Sequence, residues 1–194
     1  MVAAVVLAAG GSRRLGRPKQ LLRLAGRPLV RRVVDAAGAG GCGPVVVVLG
    51  AEAEAVRAAL AGAAVESVDN ERWSEGIASS IRAGIAFVER LSAVRAALLL
   101  SSDQVALDAD VVRRMLGAFD GASGRMVACE YAGTIGIPAL FERSRFGELA
   151  LLAGEAGAKS LLLRHADAVV RLPWPAGAAD VDEPRDCDAL DPAP

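Results

Sequence analysis

Apolar residues fall into two patterns along this chain. Short unbroken runs at Val2–Leu7, Pro44–Leu49 and Ala96–Leu100 read as buried strands, and Val65–Val68 reads as a short strand. Between them, apolar residues recur at helical spacing. Leu29, Val30, Val33, Val34 and Ala37 form one face of a helix that starts at Pro28 and runs to about Gly38. Glu52–Leu60 is a predicted helix that Gly62 ends, and Ile77, Ile81, Ile85 and Val88 mark another for which Ser74 is the predicted N-cap. Asp108–Phe119 is a predicted helix and Met126–Tyr131 a predicted strand.

Strand and helix alternate through about residue 120. That alternation means βαβ units and an α/β fold: a three-layer sandwich with a mainly parallel mixed sheet and helices on both faces. The remainder is less regular. Helices are expected at Ser144–Leu152 and Ala158–His165, a strand near Ala168–Leu172, a rigid turn at Pro173-Trp174-Pro175 and a short helix after Pro184. No repeat or linker divides the chain, so residues 1–194 are expected to form one domain.

Composition narrows the function. Hydrophobic residues make up 53% of the 194 residues and aromatics 4%, so the core is built from Ala, Val and Leu rather than rings. A net charge of −1 argues against a protein that coats nucleic acid. One His excludes a multi-histidine metal site within the chain. Cys42, Cys129 and Cys187 are widely spaced and odd in number, which suits a reducing cytoplasm. The apolar start, Met1–Ala9, lacks a preceding positive charge and so does not read as a signal peptide, and no apolar run is long enough to cross a membrane. Polar usage is skewed: Lys19 and Lys159 are the lysines, Asn70 the one Asn, Thr134 the one Thr, and Gln20 and Gln104 the glutamines.

In open parallel sheets ligands bind beyond the carboxyl ends of the strands. The first strand ends in Leu7-Ala8-Ala9-Gly10-Gly11-Ser12-Arg13-Arg14-Leu15-Gly16-Arg17-Pro18-Lys19, the fourth in Ser101-Ser102-Asp103-Gln104, and both are expected to line one crevice. Small residues let backbone N–H groups approach a phosphate chain, and Arg14 and Lys19 would neutralise it. The glycines fit neither the dinucleotide fingerprint nor the P-loop, where Arg17 and Pro18 stand in place of Lys and Ser/Thr. Taken as glycine-rich sequence alone, a plain βα loop with surface arginines remains open. Asp103, at the end of a parallel strand, is placed to bind Mg²⁺ beside phosphates. An N-cap role is its alternative, for which Asp108 and Asp110 compete better.

The loop resembles L-A-A-G-x-S-x-R-(M/L)-G-x-x-K, the signature of the MobA-like NTP transferases. Its continuation Pro18-Lys19-Gln20-Leu21-Leu22 resembles the branch of molybdenum cofactor cytidylyltransferases (MocA-like). The resemblance extends along nearly the whole chain. Asn70-Glu71-Arg72-Trp73-Ser74-Glu75-Gly76-Ile77-Ala78-Ser79-Ser80 is similar to N-x-x-W-x-x-G-(I/M)-x-x-S, Ser101–Gln104 to S-x-D-Q-P, Gly136–Phe141 to G-x-P-x-x-F, Gly154–Lys159 to G-D-x-G-A-(R/K), and Asp180–Asp186 to D-(I/V)-D-T-P-E-D.

The resemblance implies a Rossmann-like nucleotidyltransferase fold, with 1–120 the nucleotide-binding half and 121–194 the acceptor-side half. It implies that Leu7, Ala8, Ala9, Gly10, Gly11, Ser12, Arg14 and Lys19 wrap the triphosphate of an NTP, and that Asn70, Ser79 and Ser80 lie near its base. Arg14, Lys19 and Asp103 are then the catalytic set, and Asp103 and Asp182 hold Mg²⁺, with Asp180 the alternative to Asp182. The Ala-Ala-Gly form of the loop, through Ala9, resembles the CTP-using branch, so the implied donor is CTP and the implied acceptor a molybdopterin-type phosphate. A molybdoenzyme or its maturation factor is an implied partner. GTP as donor, a sugar or alcohol phosphate as acceptor, or a non-catalytic nucleotide- or cofactor-binding maturation factor are the alternatives. Val105, Ile137 and Glu155 stand where the family has Pro, often His, and Asp. Lys159 would meet an acceptor phosphate or mark a charged helix start, and His165 reads as a partner for a helix C-terminus rather than a catalyst.

Overall fold

The computed structural model describes residues 1–12, 15–179 and 190. Its main sheet has seven strands: β1 (Val2–Leu7), β4 (Val45–Leu49), β5 (Glu66–Asp69), β6 (Ala96–Ser101), β7 (Met126–Tyr131), β8 (Thr134–Glu142) and β9 (Val169–Pro173), in the order β5-β4-β1-β6-β8-β7-β9. β1 pairs in parallel with β4 and β6, and β4 with β5. β8 is antiparallel to both β6 and β7, and β9 is parallel to β7. Two short strands, β2 (Arg23–Leu24) and β3 (Arg27–Pro28), form a hairpin whose turn residues Ala25 and Gly26 both have positive φ, 53° and 76°, as a two-residue hairpin turn with the sheet's twist requires.

Strand parity divides the core in two. Ala4, Val6, Val45, Val47, Leu98 and Leu100 face α1 (Leu29–Ala39), α2 (Ala53–Ala59) and α4 (Ala109–Ala118). Ala3, Val5, Val46, Val48, Ala97 and Leu99 face α3 (Ile77–Glu89), α5 (Phe146–Ala150) and α6 (Lys159–Arg164). Because successive side chains point to opposite faces, a strand must be apolar at every position to be covered on both sides. The expected α/β sandwich with a mainly parallel mixed sheet is the observed one. Cys42 and Cys129 are buried in the first cluster, and burial pushes both thiols up to about 12, so they are inert at neutral pH. Among the described residues no helix is long and apolar enough to cross a membrane.

Two local expectations are corrected. Ser74 does not cap α3. It lies in a 3-10 turn over Trp73–Glu75, and Gly76, with φ 107°, is the N-cap. Gly76 is required there because a Cβ would collide with the carbonyl oxygen of Gly154. The second difference is β8, which periodicity does not predict because Gly136 and Pro138 interrupt it. The β7–β8 register jumps from Ala128↔Ala139 to Cys129↔Gly136, leaving Ile137 and Pro138 as the irregularity, where a residue without N–H is tolerated. The predicted helix after Pro184 lies outside the described residues. Asp108 does cap α4, its side chain accepting from the N–H of Asp110 and Val111, both at 3.0 Å.

The helix α3 sits close on the sheet because Gly84 has no side chain. A Cβ there would run into Val5 Cγ1 and lie 3.0 Å from Val48 Cγ2, whereas a Cβ on the exposed helical Gly38 meets nothing within 4 Å. The same substitution should therefore have opposite signs at the two positions. Gly38→Ala is expected to stabilise by about 0.5–1 kcal/mol through helix propensity. Gly84→Ala is expected to destabilise by about 1–2 kcal/mol, because overpacking outweighs that gain. Chemical denaturation midpoints of the two variants check this.

Candidate active site

The chain runs from β1 to β4 and β5 on one side, then returns to place β6 on the other side of β1. That reversal is the topological switch point, where the loops diverge and leave a crevice. Register puts Leu7 opposite Ser101, so the glycine loop and the Ser101–Gln104 segment leave the sheet side by side. A cleft of about 550 Å³ opens there. One wall is the loop itself: Leu7, Ala9–Ser12, Leu15, Lys19 and Gln20. Trp73, Ser74, Gly76, Ile77 and Ser80 form the second, with Ser101, Ser102 and Glu155 completing it.

The loop is held by side chains behind it. Gln20, 1% exposed, donates from Nε2 to the carbonyl oxygens of Ala8 (3.0 Å) and Gly10 (2.6 Å). Ser12, with φ 48°, accepts the N–H of Lys19 on its Oγ at 3.0 Å. Gly50 lets the loop pack down, since a Cβ there would lie 2.5 Å from the Ala9 oxygen and 2.8 Å from Trp73 Cβ. Among the described residues none accepts a hydrogen bond from the N–H of Gly10, Gly11 or Ser12. Such groups at the mouth of a loop are suited to an anion.

Asp103 is 4% exposed. Its carboxylate pairs with Lys19 Nζ and accepts from Ser101 Oγ. A buried carboxylate needs polar partners, and these two neighbours supply them. Two residues predicted to act together are thus in contact across the switch point. The next residue, Gln104, donates from Nε2 to the Ile137 oxygen at 2.8 Å, an oxygen that also accepts from Tyr131 OH at 2.6 Å.

The other expected residues divide. Leu7, Ala9, Gly10, Gly11, Ser12, Lys19 and Ser80 line the cleft, while Ala8 is buried directly behind it. Asn70 and Ser79 are buried and are not among the lining residues. Asn70 Nδ2 donates to Ser79 Oγ (2.9 Å) and Ser80 Oγ (3.1 Å), and its Oδ1 accepts from Arg72 N–H (3.1 Å), so it ties the end of β5 to the start of α3. Arg14, Asp180 and Asp182 lie outside the described residues. Lys159 begins α6 and is exposed. His165 follows α6, but its partner is a side chain rather than the helix end: Nε2 is 2.8 Å from Glu148 Oε2. Hydrogen bonds from His165 and Arg145 hold the Glu148 carboxyl below its usual range.

Residue types alone did not reveal several members of the cleft. Trp73 and Ile77, from one stretch, and Glu155, from another far along the chain, supply walls of the cleft. Gln20 had a visible signal, one of two glutamines in the chain standing next to the loop lysine. Ser101 had another, a hydroxyl two residues before the key carboxylate.

Residues 4–169 match the MobA-like NTP transferase domain. The nicotine blue oxidoreductase of Paenarthrobacter nicotinovorans is 35% identical over 171 residues, which are 83% of this chain and 81% of that protein. The crystal structure of Rv0371c from Mycobacterium tuberculosis H37Rv is similar with a TM-score of 0.81 and 34% identity, over 95% of this chain and 94% of that one. A complex of Rv0371c with manganese is similar with a TM-score of 0.75 and 31% identity, over 95% of each chain. A nucleotidyl transferase from Methanothermobacter thermautotroptrophicus shares the fold, with a TM-score of 0.81 at 24% identity over 96% of this chain and 94% of that one. The chain therefore belongs to the MobA-like NTP transferase family and is a nucleotidyltransferase with that family's fold.

Proposed function

We propose that this protein transfers a nucleotidyl group from CTP to a phosphorylated acceptor of the molybdopterin type, releasing pyrophosphate. The observation that carries the reading is the contact of Lys19, which lines the cleft with the glycine loop, with Asp103, buried just behind that lining at the switch point. An acceptor phosphate oxygen forms a bond to the α-phosphorus, the bond from that phosphorus to the bridging α–β oxygen breaks, and pyrophosphate leaves with the electron pair. A phosphate nucleophile is already ionised at neutral pH, so no general base is needed. The chain's single His is accordingly not among the residues lining the cleft.

The chain's work is to position groups and stabilise charge. The N–H groups of Gly10, Gly11 and Ser12, with Lys19 and Arg14, hold the β- and γ-phosphates as they become the leaving group. Ser80 and the Trp73–Ile77 wall bound the base side, where Asn70 acts by holding Ser80 and Ser79 by tying Asn70 to the Gly76 carbonyl. Asp103 fits Mg²⁺, which takes one or two carboxylates together with phosphate oxygens and water. It does not fit an ion caged by protein alone, since the described residues contain no group of three or more His, Cys, Asp or Glu placed to hold a metal. Asp103, joined by Asp182, would hold the ion, which when bound would supply positive charge to stabilise the phosphates during transfer. The manganese complex of Rv0371c supports a divalent cation in this setting. A cytoplasmic location and a molybdoenzyme or its maturation factor as partner follow from the same reading.

A second reading rests on one relative, the nicotine blue oxidoreductase, which is similar over most of its length. On that reading the cleft holds a nucleotide-bearing redox cofactor, and the protein moves electrons rather than a nucleotidyl group. Purified protein with Mg²⁺, intact molybdenum cofactor and each NTP in turn separates the possibilities. Pyrophosphate release with CTP preferred is expected. Preference for GTP, or release only with a sugar or alcohol phosphate, reassigns donor or acceptor. Nucleotide binding without release leaves the maturation-factor reading, and turnover of a dinucleotide reductant the redox one.

Asp103→Ala is expected to lower turnover by roughly 10²-fold or more, the order seen when one preorganised charge-stabilising group is lost, with secondary structure by circular dichroism intact. Full activity in that variant excludes the metal role. The ion pair leads to a further expectation. Lys19 must leave Asp103 to meet phosphate, and without a cation that strands a buried charge. Asp103→Asn should therefore bind NTP in EDTA more tightly than the parent, by about threefold or more, as titration calorimetry would read.

A further inference from the structure

We propose that Gln20 is the positioning residue of the phosphate loop, the group that turns its N–H groups toward a bound triphosphate. The proposal rests on the nucleotide reading of the cleft and adds a residue to it. A glutamine that is 1% exposed must have its amide paired, and each of its polar atoms points at the loop. Nε2 donates to the carbonyl oxygens of Ala8 and Gly10, at 3.0 and 2.6 Å. Oε1 is 3.5 Å from Ser12 Oγ, the oxygen that accepts from Lys19 N–H at 3.0 Å. One amide thus engages the start, the middle and the returning end of the loop.

The consequence follows from peptide geometry. In a trans peptide the C=O of one residue and the N–H of the next point in opposite directions. Drawing the Gly10 carbonyl onto Gln20 turns the Gly11 N–H the other way, and drawing the Ala8 carbonyl inward does the same for Ala9. Gly11 lines the cleft, and among the described residues nothing accepts its N–H. Gly10 and Gly11 have no side chain to resist other orientations, so without Gln20 those peptides are free to rotate. Gln20 need not touch substrate. It holds the N–H groups in place before the anion arrives, which removes an ordering cost from binding.

Gln20→Met keeps length and removes both donors, and Gln20→Glu keeps the shape and the acceptor facing Ser12. Hydrogen exchange on ligand-free protein is expected to speed up in both variants at the loop amides whose hydrogen bonds end on Ser12, those of Leu15, Gly16 and Lys19, with β1 and β6 unchanged. Calorimetry is expected to show the NTP dissociation constant raised about tenfold, the order of two hydrogen bonds lost, while that of the matching nucleoside monophosphate stays within twofold. In turnover the KM for NTP rises with the same selectivity, and the KM for acceptor does not. Unchanged loop exchange overturns the proposal. So does an equal loss of monophosphate and triphosphate affinity together with a lowered melting temperature, which marks a structural role only. Should the parent protein bind no nucleotide, the nucleotide reading fails, and exchange in the loop still decides whether Gln20 orders it. If Gln20→Met does not fold, Ser12→Ala cuts the same network from the surface side. It is expected to give a smaller triphosphate-selective loss, and an unchanged NTP affinity there overturns the proposal.

Discussion

Parallel pairing of β1 with β6 is the constraint on which the cleft depends. It sets Leu7 opposite Ser101, so two loops that are about ninety residues apart in sequence leave the sheet at one level. The chain can reach that arrangement because it first winds outward through β4 and β5 and then crosses back over β1. No connecting element fills the gap left by the reversal. The buried strands on either side make the crevice rigid, since a residue in β1 or β6 cannot shift without disturbing both helical layers.

Within that frame, the charged groups acquire their character from burial. Asp103 would be an ordinary surface carboxylate on an exposed loop. At 4% exposure it requires a cation, and Lys19 provides one from the opposite loop. On the proposed function, a phosphate would compete for Lys19 while a divalent cation replaced it at Asp103, so the two ligands would favour one another's binding through an exchanged ion pair.

The scarce amides perform scaffolding of a kind that apolar packing cannot. Gln20 crosses the inside of the phosphate loop, Asn70 joins β5 to α3, and Gln104 reaches the oxygen of Ile137 in β8. Each is buried and each satisfies backbone or hydroxyl groups where a strand ends and regular hydrogen bonding stops. A chain rich in Ala and Val can cover a sheet without such residues. It cannot shape a loop at the sheet's edge without them, which gives their concentration around one cleft a physical cause.

Much of this was legible in the residues themselves. Unbroken apolar runs mark strands covered on both faces because a half-exposed strand would alternate, and β1, β4, β6 and β7 follow that rule to within a residue. The glycine loop and Asp103 were visible as chemistry at strand ends, and their meeting followed from the parallel topology. Other features depend on contacts between distant segments, which local pattern does not encode. The cap at Gly76 is imposed by the Gly154 carbonyl, and β8 persists through Gly136 and Pro138 because strands on both sides hold it. The resemblance places Asn70 near the base, and the structure adds that its amide donates to Ser79 and Ser80. The sequence by itself thus determined the buried strands β1, β4 and β6 and the glycine-rich and acidic segments that follow β1 and β6, because those follow from periodicity and residue chemistry. Tertiary structure decided which polar side chains face the cleft and which hold it together, because that turns on directions in space separating residues a few ångströms apart.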